Sequence, residues 1–328
     1  MASFRTIVDV PQQDDRIKTG YEDTTLWMGS CFAENIGGKM KRMKFPAEVN
    51  PFGVIYNPVS VGNSLRILLE KRFFTKDHLN YHNGRWYSFN HHTSFSSTDA
   101  DKCLERINRS TEKGSEALKK SGYLFITFGT ARVYEFRETG EVVSNCHKLP
   151  AKNFDRYLLS IEEIVERYKK LFEKLRLFNP GINIVLTVSP VRHWKDGPAG
   201  NQVSKSVLIL AVQKLIEMFG FVQYFPAYEI VMDDLRDYRF YEKDMLHINS
   251  QAIEYIWEKF STTFILHEAH LVMREVEKIL QGLGHKPFDP SSESYRDFLQ
   301  QIERQIMELE KKYPFIDFTD ELKALSGI

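Results

Sequence analysis

The stretch of sequence that decides the fold reads TTLWMGSCFA and covers residues 24–33. Residues 24–28 form a short apolar run that breaks at Gly29 and Ser30. A helical pattern of apolar residues follows from Ala33 to Lys44. We therefore predict a strand, a tight turn and a helix, with Ser30 in the turn.

Two later apolar runs extend this pattern. Residues 123–128 and 184–188 are continuous apolar segments, which is typical of parallel strands that are buried on both faces. Further strands are predicted at residues 47–49 and 221–224, and helices at about 59–72, 101–120, 160–177 and 202–219. This alternation predicts a three-layer α/β fold, in which a doubly wound parallel sheet lies between helices.

We divide the chain into a main domain at residues 1–284 and a C-terminal helical extension at residues 285–328. The main domain contains an aromatic and histidine-rich insertion at about 71–100, predicted as a hairpin and loop, and ends with one long amphipathic helix over 250–281. The extension either packs on the main domain or forms the contact of a homo-oligomer.

The net charge, the N-terminal sequence and the number of cysteines indicate the expected partners and cellular compartment. The chain has 44 acidic and 44 basic residues, so we expect neither nucleic acid nor a membrane surface as a partner. Its N-terminus lacks the apolar segment of a secretory signal, and no apolar run is long enough to cross a bilayer. Three cysteines are an odd and sparse set that favours a reducing compartment. We expect a cytoplasmic protein.

The predicted strand ends and loops contain a serine, a histidine and an aspartate, which together form a chemically complete catalytic set. Ligands of open parallel sheets bind outside the carboxyl ends of the strands, and Ser30 follows the first strand. Asp244 and His247 lie in the loop before the long helix. An imidazole can take the proton of an attacking serine, and a carboxylate on its other nitrogen fixes the tautomer. The backbone N–H groups of Ser30 and Gly53 are the predicted donors to the oxyanion.

The motif Gly29–Ala33 resembles the name-giving motif of the GSCFA domain family, which is similar to the SGNH (GDSL-type) hydrolases. The resemblance runs from about Thr24 to Phe260 and includes the segments Asn50–Gly53, Phe128–Ala131, Asn145–Lys148 and Asp244–His247. It implies an SGNH fold in which the serine after the first strand is the nucleophile. The Asp-x-x-His pair then completes the triad, and a glycine and an asparagine build the oxyanion hole.

The resemblance assigns Ser30, Asp244 and His247 as catalytic residues and Gly53 as the oxyanion glycine. The chain departs from the SGNH pattern where Gly-x-Asn-Asp is expected, because Gly129–Arg132 contains no asparagine. Candidates for the missing oxyanion donor or for substrate binding are Asn50, Gly129, Thr130, Asn145, His147, Arg192 and His193.

Several structural alternatives stand beside these roles. Serine is favoured as a helix N-cap in any case, and the thiol of Cys31 is a rival nucleophile at the same helix terminus. Asn145 and His147 either orient the substrate or form a structural hydrogen-bonded group. Arg192 and His193 either line the pocket or lie in a surface loop. A further group of histidines reads as an exposed loop or lid rather than a metal site, namely His78, His82, His91 and His92.

The function predicted from the sequence is hydrolysis of an ester through an acyl-Ser30 intermediate. By analogy with the superfamily, the substrate is an O-acyl group, such as acetyl, on a small molecule or a carbohydrate. We expect no cofactor and no metal. The alternatives are an O-acyltransferase with the same triad and a catalytically inactive binding protein.

Overall fold

The computed structural model describes residues 7–11, 13, 17–285, 287–289 and 291–326. Residues 1–6, on which the expectation about a secretory signal depends, lie outside the described residues.

The strands of the described residues are β1 (Thr24–Gly29), β2 (Ala47–Val49), β3 (Asn80–His82), β4 (Arg85–Tyr87), β5 (Ser121–Phe128), β6 (Arg132–Phe136), β7 (Glu141–Val143), β8 (Phe154–Leu158), β9 (Asn183–Val188) and β10 (Val222–Tyr224). The helices are α1 (Cys31–Arg42), α2 (Pro58–Leu69), α3 (Ala100–Lys120), α4 (Ile161–Phe178), α5 (Gly197–Met218), α6 (Ala227–Glu229, continued by a π-helix over Ile230–Asp234), α7 (Ser250–Phe264), α8 (His267–Leu283), α9 (Glu293–Lys312) and α10 (Thr319–Ser326).

The central sheet of the described residues has five parallel strands in the order β2-β1-β5-β9-β10. The strand order reverses between β1 and β5, so the segments that follow these strands leave the same edge in different directions. We call this edge, where β1, β5 and β9 end, the carboxyl edge. A mixed α/β protein with a parallel sheet flanked by helices, and with further helices at the C-terminus, is confirmed.

Alternate side chains of the central strands enter two separate cores. Leu26 and Met28 belong to the core beneath α2, α3, α4 and α5. Trp27 points to the opposite face and stacks on Phe125 with ring centroids 4.0 Å apart. That second core contains buried residues of α1, α7, α8 and α9. Burial on both faces explains why the strands are continuous apolar runs rather than alternating ones.

The prediction of one long helix over residues 250–281 is wrong. The helix breaks between Phe264 and His267, giving α7 and α8. Thr19, from a distant part of the chain, donates its N–H to Phe264 O at 2.8 Å and accepts from Leu266 N at 3.0 Å. These two bonds use backbone groups that a continuous helix needs for its own ladder.

The C-terminal extension packs on the main domain. Ile302 and Ile306 of α9 are buried in the core that contains α1 and α8. Phe318 is fully buried beneath the Lys44 ammonium, which lies 4.4 Å from its ring centroid. Lys44 also pairs with Glu321 at 2.6 Å. Of the two alternatives for the extension, packing is observed, while a homo-oligomer through these helices stays a prediction.

The insertion contains the predicted hairpin, formed by β3 and β4 around a turn in which Asn83 and Gly84 both have positive φ. The expectation that its histidines are all exposed is wrong for His91, which is fully buried. The His91 ring stacks on Phe52 at a centroid distance of 4.7 Å. Burial lowers the pKa of His91 to about 3.

A second histidine anchors the other side of the insertion. His147 donates from Nε2 to Ser88 O over 2.9 Å and stacks on Tyr87, with ring centroids 4.2 Å apart. Burial lowers its pKa to about 4. Both histidines are therefore neutral in the folded protein near pH 6.

Because His91 and His147 are buried and neutral, we expect the folded protein to lose stability in acid. Their folded pKa values lie below the unfolded value of 6.5, so the unfolded chain binds more protons as pH falls from 6.5 towards 4. Stability is fully present above pH 6.5 and should then fall by up to about 2.7 kcal/mol per pH unit. Urea unfolding at a series of pH values measures this slope. His147→Gln should remove about half of it, whereas the exposed His267 offers a control, His267→Gln, that should keep the wild-type slope.

Candidate functional site

Ser30 lies at the junction of β1 and α1 and is the N-cap of α1. Its Oγ accepts a hydrogen bond from Phe32 N at 3.3 Å, and the residue is 1% exposed. The preceding Gly29 has a φ of 132°, and a Cβ at that position would lie 2.1 Å from Thr127 O. Only glycine fits there, so the turn holds Ser30 against the end of β5.

The side chains of Asp244 and His247 form a directly hydrogen-bonded carboxylate–imidazole pair. Asp244 Oδ2 lies 2.6 Å from His247 Nδ1, and Asp244 Oδ1 accepts from the N–H groups of Leu246 and His247 at 2.9 Å each. The hydrogen bonds from the His247 ring and from these backbone N–H groups lower the pKa of Asp244 to about 2. An ionised Asp244 fixes the proton on Nδ1 and leaves Nε2 as a proton acceptor.

The pair and the serine differ in exposure. The side chain of His247 is 53% exposed, whereas Ser30 is buried. Among the described residues, no hydrogen bond joins Ser30 to His247. The structure thus pairs Asp244 with His247, and contact between Ser30 and His247 stays a prediction.

The two backbone donors that we expected to bind the oxyanion are already engaged. Ser30 N donates to Thr127 O at 3.2 Å, and Gly53 N donates to Asn50 O at 2.7 Å. A Cβ on Gly53 would lie 2.4 Å from His92 Cβ, so close packing of the insertion accounts for this glycine. In this conformation, neither N–H is free to bind an oxyanion.

The next two candidates, Gly129 and Thr130, are engaged in the same way. Both of their N–H groups donate to Tyr56 O, at 2.7 and 3.1 Å. The Thr130 hydroxyl lies 3.0 Å from Ser204 Oγ on α5 and is buried. These groups hold the loop after β5 in place.

Asn50 contributes an unpaired donor beside the Ser30 turn. Its Oδ1 accepts from Gly29 N at 2.9 Å, and its own N–H donates to Trp27 O at 2.8 Å. Because Gly29 N is a donor, the atom that faces it must be the amide oxygen, which fixes the orientation of the side chain. Asn50 Nδ2 is buried and has no hydrogen-bond partner among the described residues.

Asn145 and His147 serve the insertion. Asn145 Oδ1 accepts from His147 N at 2.8 Å, which closes a local turn. His147 has a φ of 48° and contacts Tyr87 and Ser88 of the insertion. Of the two roles left open for these residues, the described contacts favour the structural one.

Arg192 and His193 follow β9 at the carboxyl edge. The Arg192 guanidinium contacts Met232 Sδ at 3.7 Å. His193 N donates to Asn201 Oδ1 at 2.9 Å, and its Nδ1 lies 3.2 Å from Asp196 Oδ2. Both side chains are partly buried, so this segment packs along the carboxyl edge.

Comparison with known families places the chain. A model of the GSCFA family matches residues 24–260. The chain belongs to the GSCFA family. A second model, the C-terminal domain of GSCFA domain proteins, matches residues 276–326, which begin within α8. No curated protein matches the chain.

The surroundings of Cys31, the cysteine of the GSCFA motif, disfavour its thiolate. Burial raises the pKa of Cys31, and the charge of Glu34 raises it further, while the charge of Lys205 acts in the opposite direction. A reactive cysteine needs a depressed pKa, because the thiolate is the nucleophile. The electrostatics therefore favour Ser30 over Cys31 within this motif.

Lys205 is the residue of this GSCFA chain that sequence reasoning missed. It lies on α5, is fully buried, and donates from Nζ to Gly129 O at 2.7 Å and to Ser189 O at 2.6 Å. Burial lowers its pKa to about 7, while the charge of Cys31 acts to raise it. The sequence did contain a signal for this residue. Lys205 lies one turn before Leu208, on the face of α5 that is buried.

The described part of the chain holds no group of three or more His, Cys, Asp and Glu side chains placed to bind a metal ion. Nor does any helix within it have the length and apolar character needed to span a membrane.

Replacing Lys205 should destabilise the fold. Lys205→Met keeps the length of the side chain but leaves two buried carbonyl groups without a donor. We expect a loss of at least about 2 kcal/mol in the free energy of unfolding. Lys214→Met on the same helix is the matched control, because Lys214 is exposed and its pair with Glu162, at 3.2 Å, is exposed as well. Equal urea midpoints for the two variants would contradict the role of Lys205.

Proposed function

We propose that this GSCFA protein is a serine esterase of the SGNH type, acting through an acyl-Ser30 intermediate. The observation that carries the proposal is the 2.6 Å bond between Asp244 and His247, in the loop that precedes α7. A surface histidine needs no ionised partner on Nδ1, whereas a general base needs that partner to fix its tautomer.

The order of elements supports the SGNH assignment. Numbered along the chain, the parallel strands lie in the order 2-1-3-4-5, an order of doubly wound sheets that bind ligands at the switch between strands 1 and 3. Ser30 follows the first of these strands, and the Asp-x-x-His pair precedes α7.

In the proposed reaction, Ser30 Oγ attacks the ester carbonyl while His247 Nε2 takes its proton. The carbon–oxygen bond to the alcohol then breaks, and His247 returns the proton to the leaving oxygen. Water attacks the acyl-serine with His247 again as base, releasing the acid and restoring Ser30. The substrate is an O-acyl group, such as acetyl, on a small molecule or a carbohydrate.

Two features of the site must change when substrate binds. His247 has to leave solvent and reach Ser30 Oγ, and catalytic hydrogen bonds often tighten only in the substrate complex. The oxyanion needs a donor, and the unpaired Nδ2 of buried Asn50 is the group we assign to it. Asn50 thereby replaces the asparagine that is missing after Gly129.

A catalytically inactive binding protein is the second candidate. It is favoured by the backbone N–H groups of Ser30, Gly53, Gly129 and Thr130, which all donate to main-chain oxygens rather than into a pocket.

The nucleophile is tested with p-nitrophenyl acetate and a serine-directed phosphonate. The wild-type chain should turn over the ester and form an adduct that peptide mass spectrometry maps to Ser30. Ser30→Ala should lower kcat by about 10³-fold or more, and Cys31→Ser is the neighbouring control that should retain activity. Folded protein with neither turnover nor adduct supports the binding protein instead.

The oxyanion donor is tested by Asn50→Asp, which preserves shape and the acceptor for Gly29 N but removes the Nδ2 donor. We expect kcat to fall by about 10²-fold with little change in KM. Asn145→Asp, at a turn that packs on the insertion, should have little effect on kcat. The reverse ranking of the two variants would assign the donor to Asn145.

A further inference from the structure

A group of basic side chains gathers beside the carboxyl edge, on the small antiparallel sheet of β7, β6 and β8. Arg132 begins β6, and Arg156 of β8 pairs with Tyr134 of β6 across the sheet, so the three side chains share one face. The Arg156 guanidinium lies 5.3 Å from the Tyr134 ring centroid, and Lys195 Nζ lies 4.9 Å from it.

One carboxylate is shared among these cations. Asp196 Oδ1 pairs with Arg156 Nη2 and lies 3.4 Å from Arg132 Nε, and the Asp196 side chain is fully buried. A purely structural pair needs one arginine for one carboxylate, whereas here two guanidinium groups meet a single negative charge. Both arginine side chains are 26% exposed, and the Nε atoms of both are buried without a hydrogen-bond partner among the described residues.

The excess of positive charge also acts on His193. Burial lowers the pKa of His193, and the charges of Arg156, Lys205, Lys195 and Arg132 each lower it further.

The N-terminus of α5 points into the same group. Its N-cap residue, Asp196, makes no side-chain capping bond, because its carboxylate is directed to the arginines. A Cβ on Gly200 would lie 3.8 Å from Arg132 Nη2, so this guanidinium lies against the start of the helix. A helix N-terminus carries partial positive charge and favours anions.

An unpaired buried donor lies on the same helix. Asn201, on α5, is 1% exposed, and its Oδ1 accepts from His193 N. That bond fixes the amide orientation, and the buried Nδ2 has no hydrogen-bond partner among the described residues. A buried donor that has no partner in the protein is usually satisfied by a bound water or ligand.

We propose that Arg132, Arg156 and Lys195 form a binding site for an oxyanionic group, namely a phosphate, sulfate or carboxylate. The site lies on the segments that follow β5 and β9, which buried Lys205 joins, and Lys205 interacts electrostatically with Cys31, the residue after Ser30. As the subsite that selects an anionic ester substrate, it deepens the proposed function and rests on it. Anion binding itself does not depend on catalysis.

The binding site is tested by isothermal titration calorimetry of the full chain with inorganic phosphate, sulfate and acetate at constant ionic strength. Phosphate should bind the wild-type chain, and Arg132→Gln and Arg156→Gln should each weaken binding by about tenfold, the loss expected for a charge-assisted hydrogen bond. Preference for acetate would identify a carboxylate, and preference for phosphate or sulfate a tetrahedral anion.

Arg137→Gln is the matched control, because Arg137 also lies on this sheet and pairs with Asp155, but both side chains are more than half exposed. Asp196→Asn separates an anion site from a structural ion pair. Removal of the competing negative charge should tighten phosphate binding severalfold, with folding of each variant checked by circular dichroism. No phosphate binding by the wild-type chain, or equal binding by the Arg132, Arg156 and Arg137 variants, overturns the proposal.

An activity measurement links the site to the proposed function. For Arg156→Gln, the KM of a phosphate-bearing acetyl ester should rise about tenfold relative to that of the neutral p-nitrophenyl acetate. Phosphate binding without a Ser30 adduct would refute the esterase while keeping the anion site. Esterase activity with equal KM ratios for the wild-type and Arg156→Gln chains would refute the subsite while keeping the esterase.

Discussion

The structure depends on the close contact between the end of β1 and the end of β5. Gly29 approaches Thr127 so closely that no side chain fits, and Ser30 N bonds to Thr127 O directly after it. This contact ends β1, starts α1 and turns the chain out of the sheet at the point where the strand order reverses. Ser30 is therefore placed by the backbone of two strands, and its cap bond to Phe32 adds to that placement.

Lys205 extends the same constraint to the next strand. By binding the carbonyl groups of Gly129 and Ser189, it joins the segments that leave β5 and β9. A buried amine is costly to desolvate, and its two hydrogen bonds to these carbonyl groups offset that cost. Those loops carry the Thr130 hydroxyl and the basic group around Asp196, so the constraint that positions Ser30 also positions the proposed anion site.

Local sequence patterns were sufficient for the features that depend on local physics. The apolar runs predicted the central strands, and the TTLWMGSCFA stretch predicted the turn at Ser30, because periodicity and turn chemistry are read within a few residues. The break after Phe264 and the burial of His91 escaped prediction, since they depend on Thr19 and Phe52 from distant parts of the chain. The same limit applied to the oxyanion donors, whose hydrogen bonds are set by tertiary packing.

The contrast between buried Ser30 and half-exposed His247 has a consequence for the proposed mechanism. The Asp244–His247 pair is half-exposed, so water screens the charge of its carboxylate. A substrate held by its anionic group beside α5 would cover the carboxyl edge and displace water from the loop of His247. Exclusion of water strengthens the pair at the moment when Ser30 needs a base. On this argument, the proposed anion site and the proposed triad act together, because binding at the first creates the environment in which the second becomes effective.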